Sequence, residues 1–388
     1  MKRIAILGST GSIGINSLRV IDNLGSNFVP FALTCNSGVE TIAKQAMRYR
    51  PAVVVIVDTN KKVILEDKLK GSGIKVLAGK QSLCEIVEME EVDTIINGIM
   101  GSAGFPPTLV AIRKGKMVAL ANKETLVSYG EIVMKEAKEN KAQIIPVDSE
   151  HSAIFQCMHG RNNKEIRKII LTASGGPFKD RENLHDVTVE EAINHPVWKM
   201  GKKISIDSAT MINKSLEIIE AHFLFGIPGE KISTVIHPQC IIHSAVEFVD
   251  GSVIAQLSNP DMTLPIQYAL TFPERRTSIT EFLDLEKIST LTFEPATTSR
   301  FPALGLAYLS LKKGGTTTAV FNASNEYLVR KFLNEKISLD KIIEIISKIL
   351  DEYTPINSPS IKDIEDAEKW AKHKAEEYVN SINEKMRN

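Results

Sequence analysis

Through the first 150 residues, short apolar runs alternate with stretches whose apolar positions recur every three or four residues. Runs of that kind suit strands buried on both faces, and the intervening stretches suit crossover helices, so the rhythm predicts a doubly wound parallel sheet. Strands are expected at 3–7, 29–33, 53–57, 75–77, 94–96, 117–120 and 143–146, with helices at 39–49 and 124–140 among the connections. The pattern changes after Asp148. Residues 151–271 read as mixed α and β, with strands at 167–171 and 203–206, a helix at 211–225, and a mostly antiparallel sheet of 234–236, 244–248 and 252–257. A proline-containing connector, 272–302, follows. The remainder, 303–388, shows helical periodicity only, at 303–313, 317–333, 339–350 and 361–380. In the last of these Ile361, Ile364, Ala367, Ala371, Ala375 and Tyr378 recur near 3.6 residues per turn and leave charged residues outside, as in a small helical bundle. No internal repeat or low-complexity tract interrupts the series.

Composition narrows the class without changing this picture. A chain of 388 residues can bury two or three cores, and its 47 basic and 47 acidic side chains cancel, so no global field favours nucleic acid or an anionic membrane. The four cysteines, Cys35, Cys84, Cys157 and Cys240, form no CxxC pair, which suits a reducing compartment and argues against a zinc ribbon. The sequence opens directly on a strand, and no apolar run approaches membrane-spanning length. The expected location is the cytoplasm, with no nucleic-acid or membrane partner.

The first strand runs straight into Gly8-Ser9-Thr10-Gly11-Ser12-Ile13-Gly14 and then an amphipathic helix. Glycines at three-residue intervals let backbone approach a pyrophosphate, and the amides opening the helix present their positive ends to it. The hydroxyls of Ser9, Thr10 and Ser12 add donors. The spacing is GxxGxxG rather than GxGxxG, yet the strand, turn and helix order is that of a Rossmann-like dinucleotide domain. Residues 1–150 are therefore expected to bind a nucleotide cofactor, 151–271 to carry the chemistry, and 303–388 to form the bundle.

Carboxylates mark the chemistry. Asp148 and Glu150 lie two residues apart where the first domain hands over to the next, and Glu217 stands behind Asn213-Lys214. Such a set is how a chain assembles an oxygen-only site for Mg²⁺ or Mn²⁺. Ser174-Gly175-Gly176-Pro177 follows a strand and can turn its amides toward an anion. Ser208, Asn213 and Lys214 place a hydroxyl, an amide and an ammonium near a helix start, another anion-favouring position. Taken alone, Lys214 and Glu217 read as a solvated ion pair, and Ser-Gly-Gly-Pro as a plain turn.

Seven motifs in order carry a resemblance. The glycine loop, Asn122-Lys123-Glu124, Val147-Asp148-Ser149-Glu150-His151-Ser152, Ala173-Ser174-Gly175-Gly176-Pro177-Phe178, the stretch from His195 through Trp198 and Met200 to Gly201, the stretch from Asp207 to Lys214, and that from His237 to His243 together resemble the 1-deoxy-D-xylulose 5-phosphate reductoisomerase family over essentially the whole chain. The resemblance implies a soluble homodimer of the non-mevalonate isoprenoid pathway. Such an enzyme rearranges a phosphorylated deoxyketose and reduces it with NADPH to 2-C-methyl-D-erythritol 4-phosphate, with Mg²⁺, Mn²⁺ or Co²⁺. Whether carbon–carbon cleavage runs by retro-aldol fragmentation or a ketol shift stays open. On this sequence the implied metal ligands are Asp148, Glu150 and Glu217, with Lys123 beside them as a fourth catalytic group. Substrate falls to Ser149, Glu150, Ser174, His195, Trp198, Ser208, Asn213, Lys214 and Glu217, with Trp198 on a flap. The cofactor falls to residues Gly8, Ser9, Thr10, Gly11, Ser12, Ile13 and Gly14, with Asn36, Ser37, Asn122, Lys123, Glu124 and Gly201. One departure concerns NADPH over NADH: Leu33-Thr34-Cys35-Asn36-Ser37-Gly38 holds no basic side chain for a 2′-phosphate, and no acid for a ribose diol, leaving Asn36 and Ser37 as donors.

Two rival readings are an ordinary NADP-linked aldehyde dehydrogenase and a nonenzymatic nucleotide sensor. The first needs a cysteine nucleophile or another acid–base pair, and the second has no use for three carboxylates, a lysine and several phosphate donors.

Overall fold

The computed structural model describes residues 1–181, 183–194, 197–198 and 201–387, the side chains through 384. His195, expected at the substrate, lies outside the described residues, as does Met200. The chain divides into two compact units, one of Met1–Thr125, Val133–Phe155 and Asp261–Phe282, the other of Leu126–Ile132, Gln156–Pro260 and Leu283–Asn388.

In the first unit the expected strands form as β1 (Lys2–Leu7), β2 (Phe28–Cys35), β3 (Val53–Ile56), β4 (Lys75–Ala78), β5 (Thr94–Asn97), β6 (Met117–Leu120) and β7 (Ile144–Pro146). They make one parallel sheet in the order β4-β3-β2-β1-β5-β6-β7. Every residue of β3, all apolar, and of β5, Thr94 and Asn97 included, is buried, which only a sheet covered on both faces allows. The order reverses at β1, and in such sheets the crevice at the reversal, beyond the strands' carboxyl ends, receives the ligand. Helix Thr263–Thr271, distant in sequence, completes this core with Ile266, Ala269 and Leu270. The compact units thus depart from the expected boundary at 271, because the chain returns to the first unit after the second sheet.

The second unit carries β8 (Ile166–Ala173), β9 (Ile232–Ile236), β10 (Ile242–Phe248), β11 (Val253–Leu257) and the short β12 (Glu294–Pro295), in the order β11-β10-β8-β9-β12. Only β8 and β9 pair parallel, which agrees with the mostly antiparallel expectation. The expected C-terminal helices form as Pro302–Lys313, Thr317–Leu333, Leu339–Glu352 and Ile361–Arg387, and they lie in the second compact unit. Residues 203–206, read as a strand, are helical within Lys202–Ala209. Their brief apolar alternation is overridden by a burial pattern of Ser205, Ile206, Asp207 and Ala209 and by the Lys203–Asp207 ion pair one helical turn apart. Helix Lys123–Glu139 is kinked at Tyr129 (φ −123°, ψ 18°), and its segment 126–132 joins the second unit. A Cβ on Gly130 would come within 2.3 Å of the Phe223 ring, so glycine permits that packing. Among the described residues no helix is long and apolar enough to cross a membrane.

Candidate functional site

The glycine loop sits directly after β1, at the reversal point. Gly8 has φ +83°, and a Cβ on Gly14 would lie 2.3 Å from the Ser9 Cα and 2.4 Å from the Gly8 carbonyl oxygen. Gly14 is therefore obligatory for the helix to rise this close behind the loop. Gly11 caps helix Ser12–Leu24 with extended backbone and no side-chain hydrogen bond of its own, so the cap leaves the first-turn amides to another partner. Thr10 and Ile13 are half-buried and Ser12 is exposed. The reading of Ser9 as a hydroxyl donor to the ligand is corrected: its side chain is buried, and Oγ donates to the Thr34 carbonyl at 3.1 Å and to Gln45 Oε1 at 2.8 Å. It braces the loop from inside.

The same edge of the sheet presents the first carboxylates. Lys123 opens the helix after β6, and its ammonium lies 2.7 Å from Asp148 Oδ2, just past β7, with both side chains mostly buried. Asp148 and Glu150 offer oxygens within 4.8 Å of one another, and the buried His151 brings Nδ1 to 3.8 Å from Asp148. Two neighbouring carboxylates with an ammonium beside them hold concentrated charge in a shielded place, and their hard oxygens fit a divalent cation such as Mg²⁺ or Mn²⁺. The Ser149 hydroxyl donates to Glu150 Oε2, fixing that carboxylate. Asn122 is the helix cap: Oδ1 accepts from the Thr125 amide at 2.9 Å, while Nδ2 donates to the carbonyls of Ile99 and Gly101. Its side chain orders the backbone around the crevice, with Glu124 buried next to it.

The second unit gathers the anion-binding candidates. Gly175 (φ +88°) and Gly176 (φ +71°) turn the chain after β8, and a Cβ on Gly176 would stand 2.5 Å from the Ser208 carbonyl oxygen. That approach brings the Ser174 turn onto the segment carrying Ser208. Ser174 Oγ accepts from the Gly176 amide at 3.2 Å. Met211, in the left-handed conformation at φ +61°, then redirects the chain into helix Ile212–Phe225. On that helix Lys214 donates to Glu217 Oε2, and Asn213 donates to Oε1 at 2.5 Å. Lys214 is 4 % exposed and Glu217 1 %, which excludes the solvated ion pair. A buried pair with a neutral amide on its other oxygen is a built site rather than a surface decoration. Trp198 is half-buried, and Gly201 is an exposed cap of helix Lys202–Ala209.

Family models for 1-deoxy-D-xylulose 5-phosphate reductoisomerase match residues 4–130, and its C-terminal domain models match 144–225 and 257–374. The reductoisomerase of Acetivibrio thermocellus is 50% identical over 381 residues, covering 98% of this chain and 100% of that protein. The chain belongs to the 1-deoxy-D-xylulose 5-phosphate reductoisomerase family. The Halothermothrix orenii enzyme is 45% identical over 97% of this chain and 98% of its own length. Among solved structures, the Zymomonas mobilis reductoisomerase in complex with NADPH superposes with a TM-score of 0.91 at 43% identity, covering 98% of this chain and 99% of the other. A reductoisomerase in complex with NADPH, fosmidomycin and magnesium superposes at 0.93 with 38% identity, covering 98% and 99%.

Sequence reading missed a support for the segment that carries Ser208. Asp207 is fully buried beside Ser208, with its carboxylate 2.8 Å from Lys203 Nζ and accepting at 2.8 Å from the Asn325 amide of helix Thr317–Leu333. The lysine spacing is visible in sequence, but the asparagine lies 118 residues away and carries no local signal.

Proposed function

We infer that this chain is an NADPH- and divalent-metal-dependent oxidoreductase that isomerises and reduces 1-deoxy-D-xylulose 5-phosphate to 2-C-methyl-D-erythritol 4-phosphate. The observation that carries it is the Lys123–Asp148 pair with Glu150, set past β6 and β7 on the edge where the glycine loop opens. That edge joins carboxylate chemistry to a dinucleotide crevice within one compact unit.

The proposed metal ligands are Asp148, Glu150 and Glu217. When bound, the cation supplies Lewis acidity to the substrate's ketone and adjacent hydroxyl, and NADPH supplies hydride. The chain's own residues do the rest. Lys123, beside Asp148, offsets oxyanion charge near it. Ser149 orients Glu150. Ser174, Ser208, Asn213 and Lys214 take the phosphate, and Lys214 has donors left for it after bonding Glu217. Trp198 shuts water out above the reacting carbon, with His195 on the phosphate. The glycine loop, Asn36, Ser37, Asn122, Lys123, Glu124 and Gly201 form the cofactor side, with Ser9 and Asn122 acting through the backbone they hold.

The reading also includes a homodimer through the second unit's sheet: β11 exposes Val253 (55%) and Ile254 (38%) on an outer strand, where an unpaired edge invites a partner. A cytoplasmic location fits four cysteines that are all free. The test is NADPH oxidation, followed optically, with deoxyxylulose phosphate in the presence and absence of Mg²⁺ or Mn²⁺. Turnover that chelation abolishes supports the reading, and turnover indifferent to chelation refutes it. A phosphonate bearing a hydroxamate, matching phosphate at one end and chelation at the other, should inhibit.

A further inference from the structure

The segment after β2 is electrostatically incomplete for the cofactor this function requires. NADPH differs from NADH by a 2′-phosphate, a dianion that needs a cation, whereas Asn36 and Ser37 supply only neutral donors. The structure brings a cation there from the next strand–helix connection. Lys61 ends the turn Thr59–Lys61 after β3, is half-buried, and donates from Nζ to the Ser37 carbonyl at 3.1 Å. The two connections are tied by backbone: the Val57 amide donates to the Cys35 carbonyl at 2.9 Å and the Asp58 amide to the Asn36 carbonyl at 2.8 Å. Lys61 is thus fixed against residues 36–37 rather than free to wander. This segment also flanks the glycine loop, since a Cβ on Gly38 would lie 3.9 Å from Thr10 Oγ1.

The neighbouring charges leave the role to Lys61. Asp58 accepts from the Asn60 amide at 3.1 Å as the cap of its own turn, and Lys62 is committed to Glu66 at 3.5 Å. Among the described residues no carboxylate pairs with Lys61. An ammonium has three donors, so one on Ser37 leaves two for a phosphate. No acid stands at the end of β2 to prefer a diol.

We propose that Lys61 is the residue that selects NADPH over NADH, receiving the adenosine 2′-phosphate beside Asn36 and Ser37. The proposal rests on the dinucleotide-binding half of the function above and adds the residue that sets its specificity. A charge-assisted contact of this kind corresponds to about tenfold to a hundredfold in affinity.

The test is calorimetric binding of NADPH, NADH, adenosine 2′,5′-bisphosphate and 5′-AMP to the wild-type chain, Lys61→Met and Lys61→Arg. The methionine keeps the alkyl stem and removes the charge. Lys61→Met should weaken NADPH and the bisphosphate by about tenfold or more, leave NADH and 5′-AMP within about twofold, and flatten the salt dependence, while Lys61→Arg retains the preference. Equal losses for ligands with and without the 2′-phosphate, or no loss, would overturn the proposal. A wild-type chain that binds NADH as tightly as NADPH overturns it too while leaving the dinucleotide site intact. A wild-type chain that binds neither dinucleotide removes the parent function and the proposal with it.

Discussion

Replacing Lys214 with methionine isolates the feature that turned an ambiguous sequence pair into a site. The ammonium is 4 % exposed and its partner carboxylate 1 %, so the substitution removes a buried charge from beside Glu217, to which Asn213 still donates. Stranding one member of a buried pair costs about 3–5 kcal/mol, against about 0–1 kcal/mol for an exposed pair on a helix surface. The two ranges do not overlap, and burial is what separates them. Glu217→Gln removes the stranded charge, so the double variant should be more stable than Lys214→Met alone, with a coupling between the two positions of about 1.5–3 kcal/mol. Urea unfolding followed by circular dichroism, on wild type, both singles and the double, measures each term. If Glu217 is a metal ligand as proposed, added Mn²⁺ should narrow the deficit of Lys214→Met, because the cation would replace the lost charge and a ligand at a hundred times its Kd contributes about 2.7 kcal/mol. A cost below about 1 kcal/mol with no coupling would show that the pair is solvated and that the helix is not organised around it.

Other perturbations have definite outcomes. Gly14→Ala places a methyl 2.3 Å from the Ser9 Cα, and backbone cannot yield as a flexible side chain would, so fluorescence titration should show dinucleotide affinity falling more than about tenfold; near-native affinity would dissociate the loop from the cofactor. Burial pushes the Glu368 carboxyl from 4.5 up to about 7, with nearby Glu326 adding and Lys372 and Ser128 opposing. The folded state then holds a proton that the unfolded state releases, so stability falls as pH rises from about 4.5 through about 7, by on the order of 3 kcal/mol in total. Thermal melts should lose that slope in Glu368→Gln, and an identical pH profile would contradict it. Burial likewise pushes the Cys35 thiol up to about 11, partly offset by the Gly38 amide and Lys61. Cys35 should resist alkylation by iodoacetamide near pH 8 until the protein unfolds, and its linkage lowers stability only as pH climbs from the usual thiol range toward that value; rapid native-state labelling would refute the burial.

The parts legible in sequence are those whose cause is local. Strand, glycine turn and helix at 3–24 are consecutive, and each of β1 to β7 announces itself by an apolar run. Residues 203–206 misled because four residues of alternation fit a strand, while the helix is decided by one-turn spacing over Lys202–Ala209. Helix Thr263–Thr271 is buried on nearly all sides, its polar Thr263, Gln267 and Thr271 included, so no exposed face told which core it fills. Lys61 was invisible because parallel strands bring together connections far apart in the chain, here 24 residues. Ser9 was misassigned for a related reason: a serine in a phosphate-type loop reads as a donor until Gln45 is seen to claim it.

The proposal on which the account turns is that Asp148, Glu150 and Glu217 are ligands of one divalent cation. Anomalous diffraction from a crystal of the protein with Mn²⁺ tests it most directly. The prediction is a single strong peak about 2.1–2.2 Å from carboxylate oxygens of all three residues, absent in Glu217→Gln. A peak held by other residues, or one that survives unchanged without Glu217, would contradict it.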